Sequence, residues 1–228
     1  ERSLAAGADV PHGLLRINAT FGFGRRHLSP AIAEFRRLYP AVDIVLQLTD
    51  RPLDLAASAM DIRIHFGEPP DRRILARKLA SNRRLLCAAP SYLAGRAEPL
   101  TPRDLHDHEC IVIRENHAAF NNWQLSDGQR QEMVKVSGGL STNFGEIAVE
   151  WALAGHGILL RSEWDIAPYL RTGQLRRVLA AWEGTASDIH AIYPQRHHLS
   201  SKVRVFLDFL ATRFADQRVP EADSAGAW

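Results

Sequence analysis

Short apolar runs of strand length alternate with helix patterns in the first third of the chain, and this alternation limits the fold more than any other feature. Leu14–Ala19, Val42–Leu48 and Ile62–Phe66 have the length and composition of buried strands. Between the first two, Ser29 and Pro30 predict a helix with Ser29 as its N-cap and the proline in its first turn. Strands separated by helices pair in parallel, so the sequence predicts an open α/β sheet.

Further strands and helices continue this pattern, and Pro90 is the predicted hinge. The other predicted strands are Leu75–Leu79, Arg84–Ala89, Glu109–Ile113, Trp123–Leu125, Met133–Val136, Ile158–Leu160, Gln174–Leu179 and Ile189–Tyr193. The other predicted helices are Pro52–Ala59, a helix from Pro90, one through Ile147 and Trp151 that Gly155 ends, Ser162–Leu170 with a Ser162–Asp165 cap, and Ser201–Ala215. The count predicts two α/β lobes, and clefts between such lobes commonly bind ligands.

Charge and composition argue against several classes of protein. The 28 basic and 26 acidic residues are mixed along the chain, which predicts no basic surface of the kind that binds DNA. No apolar run approaches the roughly 18 residues that span a bilayer, and the start lacks the apolar segment of a secretory signal. Cys87 and Cys110 lie in apolar runs, which predicts buried, reduced thiols. We therefore expect a cytoplasmic protein with no membrane partner.

Motifs for catalysis, cofactors and metals are absent or incomplete. The chain has no G-x-S-x-G, H-E-x-x-H or P-loop motif, so no catalytic residue is predicted. The run GFGRRH is similar to a dinucleotide-binding loop, but His27 stands where the third glycine is needed. His106, His108 and Cys110 alternate as zinc ligands could, yet no fourth ligand is evident nearby. We therefore predict no cofactor and no metal.

Two segments carry polar residues that need an explanation. In IRIHF, Arg63 and His65 alternate with apolar residues, which predicts either an exposed edge strand or a ligand contact at the strand's C-terminal end, more readily through His65. In LSTNFGE, Asn143 and Glu146 have the spacing of a reciprocal helix cap. The hydroxyls and free amides of that turn could also accept an anion, as helix N-termini do.

Several long segments together resemble the effector-binding domain of LysR-type transcriptional regulators. The first, LLRINATFGFGRRHLSPAIAEFRRLYPAVDIVLQLTDRPLDL, has that family's order of strand, loop, L-x-P, helix, Y-P and strand. The others are MDIRIHFGEPPDRRILARKLASNRRLLCAAPSYL, TPRDLHDHECIVIRENH, LSTNFGEIAVEWALAGHGILL, GILLRSEWDIAPYLRTGQLRRVL and HLSSKVRVFLDFL. The resemblance covers residues 13 to about 214, and the subgroup is similar to the D-malate-type regulators.

This resemblance implies a fold like that of type 2 periplasmic binding proteins, with two Rossmann-like lobes joined by two crossover strands. Residues 12–90 and 192–228 would form the first lobe, residues 91–191 the second, and residues 1–11 a linker remnant. Such proteins bind a small effector, often a carboxylate, between the lobes and assemble as homodimers or homotetramers. They bind DNA through an N-terminal winged helix-turn-helix that is not in these 228 residues.

Position by position, the resemblance also implies an effector site. Its residues would be Thr20, Phe21, Gly22, Phe23, Thr49, Asp50, His65, Phe66, Gly67, Arg114, Thr142, Asn143 and Phe144. Relatives often carry serine at position 22, arginine at position 65 and a small or acidic residue at position 144. Thr20 would supply the hydroxyl that Gly22 cannot, and Phe144 would narrow the site or make it more apolar.

Two other functions share this fold. An exported solute-binding protein would need a secretory signal, and an enzyme would need a nucleophile or a cofactor motif. Because the sequence presents neither feature, we expect a sensor of a small molecule that makes or breaks no bond.

Overall fold

The chain forms two mixed β-sheets with helices packed around them. The computed structural model describes residues 10–49, 58–69, 74–115, 118–119, 121–195 and 200–215. The strands are β1 (Gly13–Ala19), β2 (Val42–Leu48), β3 (Ile62–Phe66), β4 (Ile74–Ala80), β5 (Arg84–Ala88), β6 (Cys110–Glu115), β7 (Ala118–Ala119), β8 (Asn122–Ser126), β9 (Gln131–Lys135), β10 (Ser141–Thr142), β11 (Ile158–Ser162), β12 (Arg176–Arg177), β13 (Glu183–Gly184) and β14 (Ile189–Pro194).

The helices lie between these strands and at the end of the described chain. They are α1 (Phe21–Phe23), a π-helix (Gly24–Leu28), α2 (Ser29–Leu38), α3 (Pro90–Leu93), a 3₁₀-helix (Pro102–Asp107), α4 (Gly145–Leu153), α5 (Glu163–Arg171) and α6 (Ser201–Arg213). The predicted α/β class is confirmed. The predicted helix Pro52–Ala59 falls mainly outside the described residues.

The first sheet has five strands in the order β2-β1-β3-β14-β4. β1 pairs in parallel with both β2 and β3, so the C-terminal ends of these three strands lie at one edge of the sheet. β14 inserts antiparallel between β3 and β4, which makes the sheet mixed rather than wholly parallel. Leu15 and Ile17 of β1 are fully buried in one cluster with Phe35 of α2 and Phe206 of α6, whose rings meet edge to face at 4.9 Å. This core holds the strand ends in place.

The helical segment after β1 begins earlier than the sequence predicted. α1, the π-helix and α2 follow one another from Phe21 to Leu38, and Ser29 has helical backbone angles of φ −55° and ψ −50°. The prediction that Ser29 is an N-cap is therefore wrong. Its N–H bonds to the carbonyl of Gly24, five residues back, and this wide turn lies directly before Pro30, which has no N–H to donate. The helix thus starts where β1 ends, with Thr20 as its N-cap.

The second sheet has the order β10-β6-β11-β5-β13-β8-β9, with β12 on β5 and β7 on β6. β8 and β9, where the sequence predicted two strands, pair antiparallel as a hairpin around the turn that contains Asp127. The Asp127 carboxylate accepts the N–H groups of Arg130 and Gln129, at 2.7 and 2.9 Å, and these bonds lower its pKa to about 2. The predicted strand Gln174–Leu179 is only β12, and the left-handed φ of 50° at Leu179 turns the chain away from a strand path.

Two extended crossovers, residues 81–83 and 185–188, connect the sheets, as the expected two-lobed fold requires. Asn82, 1% exposed, joins them by donating from Nδ2 to the Ser187 carbonyl at 3.0 Å. It also donates to Ser162 Oγ at 3.2 Å. The predicted Ser162–Asp165 cap is wrong, because that hydroxyl bonds to the crossover and Ser162 forms no side-chain cap of α5. The residue boundaries of the two lobes stay predictions.

The two thiols lie in the core of the second sheet. Cys87 and Cys110 are free and buried, as the sequence predicted, and burial raises the pKa of each to about 12. They are therefore protonated and inert near neutral pH. Within the described part of the chain, no helix has the length and apolar character needed to cross a bilayer.

Candidate functional site

A cavity of about 370 Å³ lies between the two sheets, within the size range of pockets that hold small molecules. Its walls come from the C-terminal edge of the first sheet, from the start of α4, from the end of β11, and from the crossovers. The lining residues are Asn18, Ala19, Thr20, Phe21, Gly22, Thr49, Arg63, Ile64, His65, Phe66, Arg84, Ile113, Asn143, Phe144, Gly145, Glu146, Leu160, Arg161, Ser162, Trp164 and Ser187.

The first sheet presents polar groups where its parallel strands end. Thr20 follows β1, Thr49 follows β2 and His65 lies near the end of β3, and all three line the cavity. Asn18, buried near the end of β1, is fixed by a 2.9 Å bond from its Nδ2 to the Gln47 carbonyl of β2. The arrangement follows the general rule that α/β sheets bind ligands at the carboxyl ends of their strands.

The polar face of β3 is explained by the cavity. β3 pairs with β1 on one side and with β14 on the other, so the alternative of an exposed edge strand is wrong. Both Arg63 and His65 line the cavity, although the sequence favoured the histidine. β3 therefore directs its polar side chains toward the space between the lobes.

Arg63 and His65 differ in charge near neutral pH. Burial lowers the pKa of both side chains. His65 Nε2 lies 2.8 Å from the Glu68 carbonyl, which can only accept, so that nitrogen carries the proton. A histidine with a pKa below 6.5 is neutral at pH 7, whereas arginine remains charged. The strand thus supplies one positive charge and one neutral imidazole.

Residues 143–146 form the opposite wall, and the helix there is not capped as predicted. α4 begins after Phe144, whose N–H bonds to Thr142 Oγ1 at 3.0 Å. Glu146 pairs with an arginine of the first lobe instead of returning a bond to the turn. The predicted Asn143–Glu146 cap is therefore wrong, because an ion pair to a distant part of the chain takes the carboxylate.

Several contacts join the lobes beside the cavity, and these include three made by residues 21–26. These three are the rings of Phe21 and Phe144, edge to face at 5.5 Å, the ion pair of Arg25 with Glu146, and the ion pair of Arg26 with Asp165. Asp165 is fully buried, and its Oδ1 lies 2.8 Å from Arg26 Nη1. Its Oδ2 accepts a 2.7 Å bond from Nε of Arg161, which belongs to the second lobe. One carboxylate is thus shared by an arginine from each lobe.

The structure brings most of the predicted site residues to one cavity. Thr20, Phe21, Gly22, Thr49, His65, Phe66, Asn143 and Phe144 line it. Phe23 is buried behind the wall, Gly67 turns the chain with a φ of 87°, and Arg114 bonds to Ser141 Oγ at 3.0 Å. These three and Thr142 do not line the cavity, and Asp50 falls outside the described residues. Effector binding by any of these residues stays a prediction.

The sequence reasoning missed several lining residues, notably Arg84, Arg161, Ser162 and Ser187. Arg161 ends the apolar run ILLRS, and Arg84 begins β5. A charged residue near the end of a buried strand indicated a ligand contact in IRIHF. The same signal is present in ILLRS and could have indicated Arg161. Ser187 lies in a crossover with no local pattern that could have revealed it.

The residues considered as zinc ligands are separated in the structure. His108 Nδ1 lies 3.2 Å from the Tyr92 hydroxyl, while Cys110 is buried in the core and His106 is exposed. In the described ranges, no three or more His, Cys, Asp or Glu side chains are grouped so that they could hold a metal ion.

Comparison with known proteins identifies the family. The family model described as LysR substrate binding domain matches residues 8–215. The HTH-type transcriptional activator TtdR of Escherichia coli O6:K15:H31 is 42% identical over 213 residues, which are 93% of this chain and 68% of TtdR. The HTH-type transcriptional regulator DmlR of Escherichia coli K12 is 39% identical over 207 residues, which are 91% of this chain and 67% of DmlR. This similarity supports the subgroup that the sequence suggested.

A solved structure shows the same architecture. CrgA of Neisseria meningitidis, a LysR-type transcriptional regulator, matches with a TM-score of 0.80 and 28% identity, over 90% of this chain and 69% of CrgA. The fold is therefore that of LysR regulatory domains, which resembles periplasmic binding proteins, and these relatives are regulators rather than enzymes. The chain belongs to the LysR family and is the effector-binding domain of a LysR-type transcriptional regulator.

Proposed function

We propose that this domain senses a small carboxylate-bearing metabolite in the cavity between its lobes and thereby controls DNA binding. The DNA-binding part would be an N-terminal winged helix-turn-helix outside these 228 residues. The observation that carries the choice of ligand is a set of three arginines in the cavity wall. Arg63 lies on β3, Arg84 begins β5 directly after a crossover, and Arg161 lies on β11.

The charge of the wall favours an anion. Glu146 is the one carboxylate among the described lining residues, and it already pairs with Arg25. Arginine binds carboxylates through paired, charge-assisted hydrogen bonds. The hydroxyls of Thr20 and Thr49 and the neutral imidazole of His65 can bind the polar groups next to such a carboxylate. The rings of Phe21 and Phe144 limit the size of the ligand's apolar part.

A ligand that contacts both walls stabilises one angle between the lobes. Binding would shift the population toward that angle, because a ligand favours the state to which it binds more tightly. We propose that the change is passed to the DNA-binding part through a homodimer or homotetramer in the cytoplasm. The lobes in this proposal are residues 12–90 with 192–228, and residues 91–191.

A thermal-shift screen of matched pairs tests the ligand class. Dicarboxylates, hydroxy acids and aromatic acids, such as succinate, lactate and benzoate, are each compared with their neutral amides. A ligand at a hundred times its Kd stabilises the folded state by about 2.7 kcal/mol. We expect at least one acid to raise the Tm and its amide to have little effect. Equal shifts from acids and amides, or no shift from any compound, would contradict the proposal.

A further inference from the structure

Arg161 connects the cavity with the contact between the lobes. Its side chain lines the cavity and is 17% exposed. Nε donates to Asp165 Oδ2 at 2.7 Å, so one edge of the guanidinium is held by that carboxylate. The two terminal nitrogens lie beside Gly145, which is also a lining residue. The side chain therefore presents its outer nitrogens at the cavity wall.

Gly145 provides the space that the guanidinium occupies. A Cβ atom at this position would lie 2.0 Å from Arg161 Nη2 and 2.5 Å from Nη1. The backbone itself does not demand glycine, because position 145 is absent from the residues with positive φ among those described. Glycine is also one of the poorest helix formers. Glycine in the first turn of α4 therefore leaves room for the Arg161 guanidinium where it lies in this structure.

Asp165 links this arginine to the other lobe. Arg26 Nη1 lies 2.8 Å from Asp165 Oδ1 and donates to the Asp165 carbonyl at 2.7 Å, and Nη2 donates to the Tyr169 hydroxyl at 3.2 Å. Two guanidinium groups thus share one fully buried carboxylate, which leaves the cluster with an excess positive charge. Only Arg161 of these two arginines lines the cavity.

We propose that Arg161 is an effector-binding residue that couples occupancy of the cavity to the contact between the lobes. The inference rests on the proposed function. An anionic group in the cavity shares Arg161 with Asp165, so Asp165 bonds more strongly to Arg26 across the lobes. Because coupling between two contacts is reciprocal, weakening the Arg26 contact must also weaken ligand binding.

Calorimetric titration of four variants tests this role. The probe is the acid that gives the largest thermal shift among succinate, lactate, benzoate and their homologues. We expect Arg161→Gln to raise the Kd about tenfold or more, the effect of losing a charged hydrogen bond. Gly145→Ala keeps every charge but displaces the guanidinium, so it should raise the Kd about threefold to tenfold. Arg26→Gln should raise the Kd about threefold although residue 26 does not line the cavity. Arg103→Gln, which changes an exposed arginine that does not line the cavity, should leave the Kd unchanged.

Each outcome decides one claim. Wild-type affinity in both Arg161→Gln and Gly145→Ala overturns the binding role and leaves the proposed function standing. Unchanged affinity in Arg26→Gln overturns the coupling alone. If no acid binds the wild-type chain, the proposed function fails, and this inference fails with it. Gly145→Ala decides the binding role if Arg161→Gln does not fold, because it shortens no buried side chain.

Discussion

Asp165 places one negative charge between two arginines, and none of its side chain is exposed. Burying charges costs solvation free energy, so such a cluster is weak evidence of net stabilisation. Removing one member is nevertheless costly, because the remaining charges stay partly buried without compensation. Arg26 and Arg161 are only 24% and 17% exposed, so water can screen them only in part.

Asp165→Asn should therefore lower the free energy of unfolding by about 3 kcal/mol. The matched control is Glu34→Gln, which removes a carboxylate from the more exposed pair with Arg213 and should cost less than about 1 kcal/mol. Urea denaturation measures both values. Equal costs for the two variants would mean that Asp165 is not the compensating charge described above.

His27 is a partly buried histidine in an aromatic group. Its ring stacks on Phe23 at 5.0 Å and meets Trp164 edge to face at 5.5 Å. Burial and then the charge of Arg26 lower the pKa of His27 to about 4, despite opposing contributions from Asp165 and a backbone bond to Trp164. The folded state therefore holds the neutral ring at pH values where the unfolded chain, with a pKa near 6.5, already binds a proton.

This difference predicts a pH dependence of stability. Above about pH 6.5 both states are neutral at His27, and between about pH 6.5 and 4 the unfolded state gains protons, so the free energy of unfolding falls as the pH falls. Allowing for partial exposure, the loss from this residue is about 2 kcal/mol. His27→Phe keeps an aromatic ring and removes the titration. The free energy of unfolding of this variant, minus that of wild type, should therefore be larger at pH 4 than at pH 7 by about 2 kcal/mol. A difference that stays constant with pH would contradict this account.

At the scale of elements, β6 is flanked by a segment that approaches it through glycine. A Cβ atom on Gly138 would lie 2.1 Å from the backbone oxygen of Cys110, whereas a Cβ atom on the next residue, Gly139, would meet nothing within 4 Å. Cys110 N–H bonds to the Ser137 carbonyl at 2.9 Å, so this approach is part of the hydrogen-bonding of β6. The backbone cannot move away without losing that bond.

Gly138→Ala should lower the free energy of unfolding by about 2 to 3 kcal/mol, the usual cost of overpacking. Gly139→Ala should change it by less than about 0.5 kcal/mol, as expected for an open surface site. The two variants add the same methyl group one residue apart, so their Tm values can be compared directly. A similar Tm for both would show that the segment packs less closely on β6.

Strands were easier to predict than caps, for a physical reason. β1, β2 and β3 were predicted almost to the residue because their apolar composition reflects burial within the element itself. The predicted caps at Asn143 and Ser162 were wrong because side chains in these caps interact with residues distant in the sequence. The predicted cap at Ser29 was wrong because the helical segment begins earlier in the chain. Ser162 bonds to Asn82, 80 residues away in the chain, and no local spacing encodes such a contact.

The same limit applied to the candidate site. His65 and Phe144 could be placed from strand ends and from the family resemblance, and both line the cavity. The strand-end signal could also have placed Arg161 at the cavity, but its contact with Asp165, the approach of Arg26 and the space at Gly145 could not be predicted, because these residues are distant in the sequence. Such positions require coordinates rather than sequence spacing.

At the scale of the whole molecule, Asn82 ties the two crossovers together next to the cavity. Its Nδ2 bonds to Ser187 in the other crossover, and Ser187 N–H returns a 3.1 Å bond to the Asn82 carbonyl. Ser187 and Ser162, both partners of Asn82, line the cavity. The connection between the lobes and the wall of the cavity are therefore one hydrogen-bonded unit.

Asn82→Ala should lower the free energy of unfolding by about 2 kcal/mol, because it leaves buried groups without partners. It should also speed hydrogen exchange at the Ser187 amide more than at the amide of Leu15 in the core of the first sheet. The exposed Asn122→Ala is the control and should change neither quantity. Uniformly faster exchange across both sheets would indicate general destabilisation instead of a looser connection.

Arg63→Gln tests most directly the central claim that the cavity binds an anion. Burial lowers the pKa of Arg63, so burying its charge costs solvation free energy, and its replacement should change the free energy of unfolding by less than about 1 kcal/mol. Binding of the carboxylate that stabilises wild type most should weaken about tenfold or more when measured by calorimetry. Unchanged affinity in a stably folded Arg63→Gln domain would contradict an anion site in this cavity.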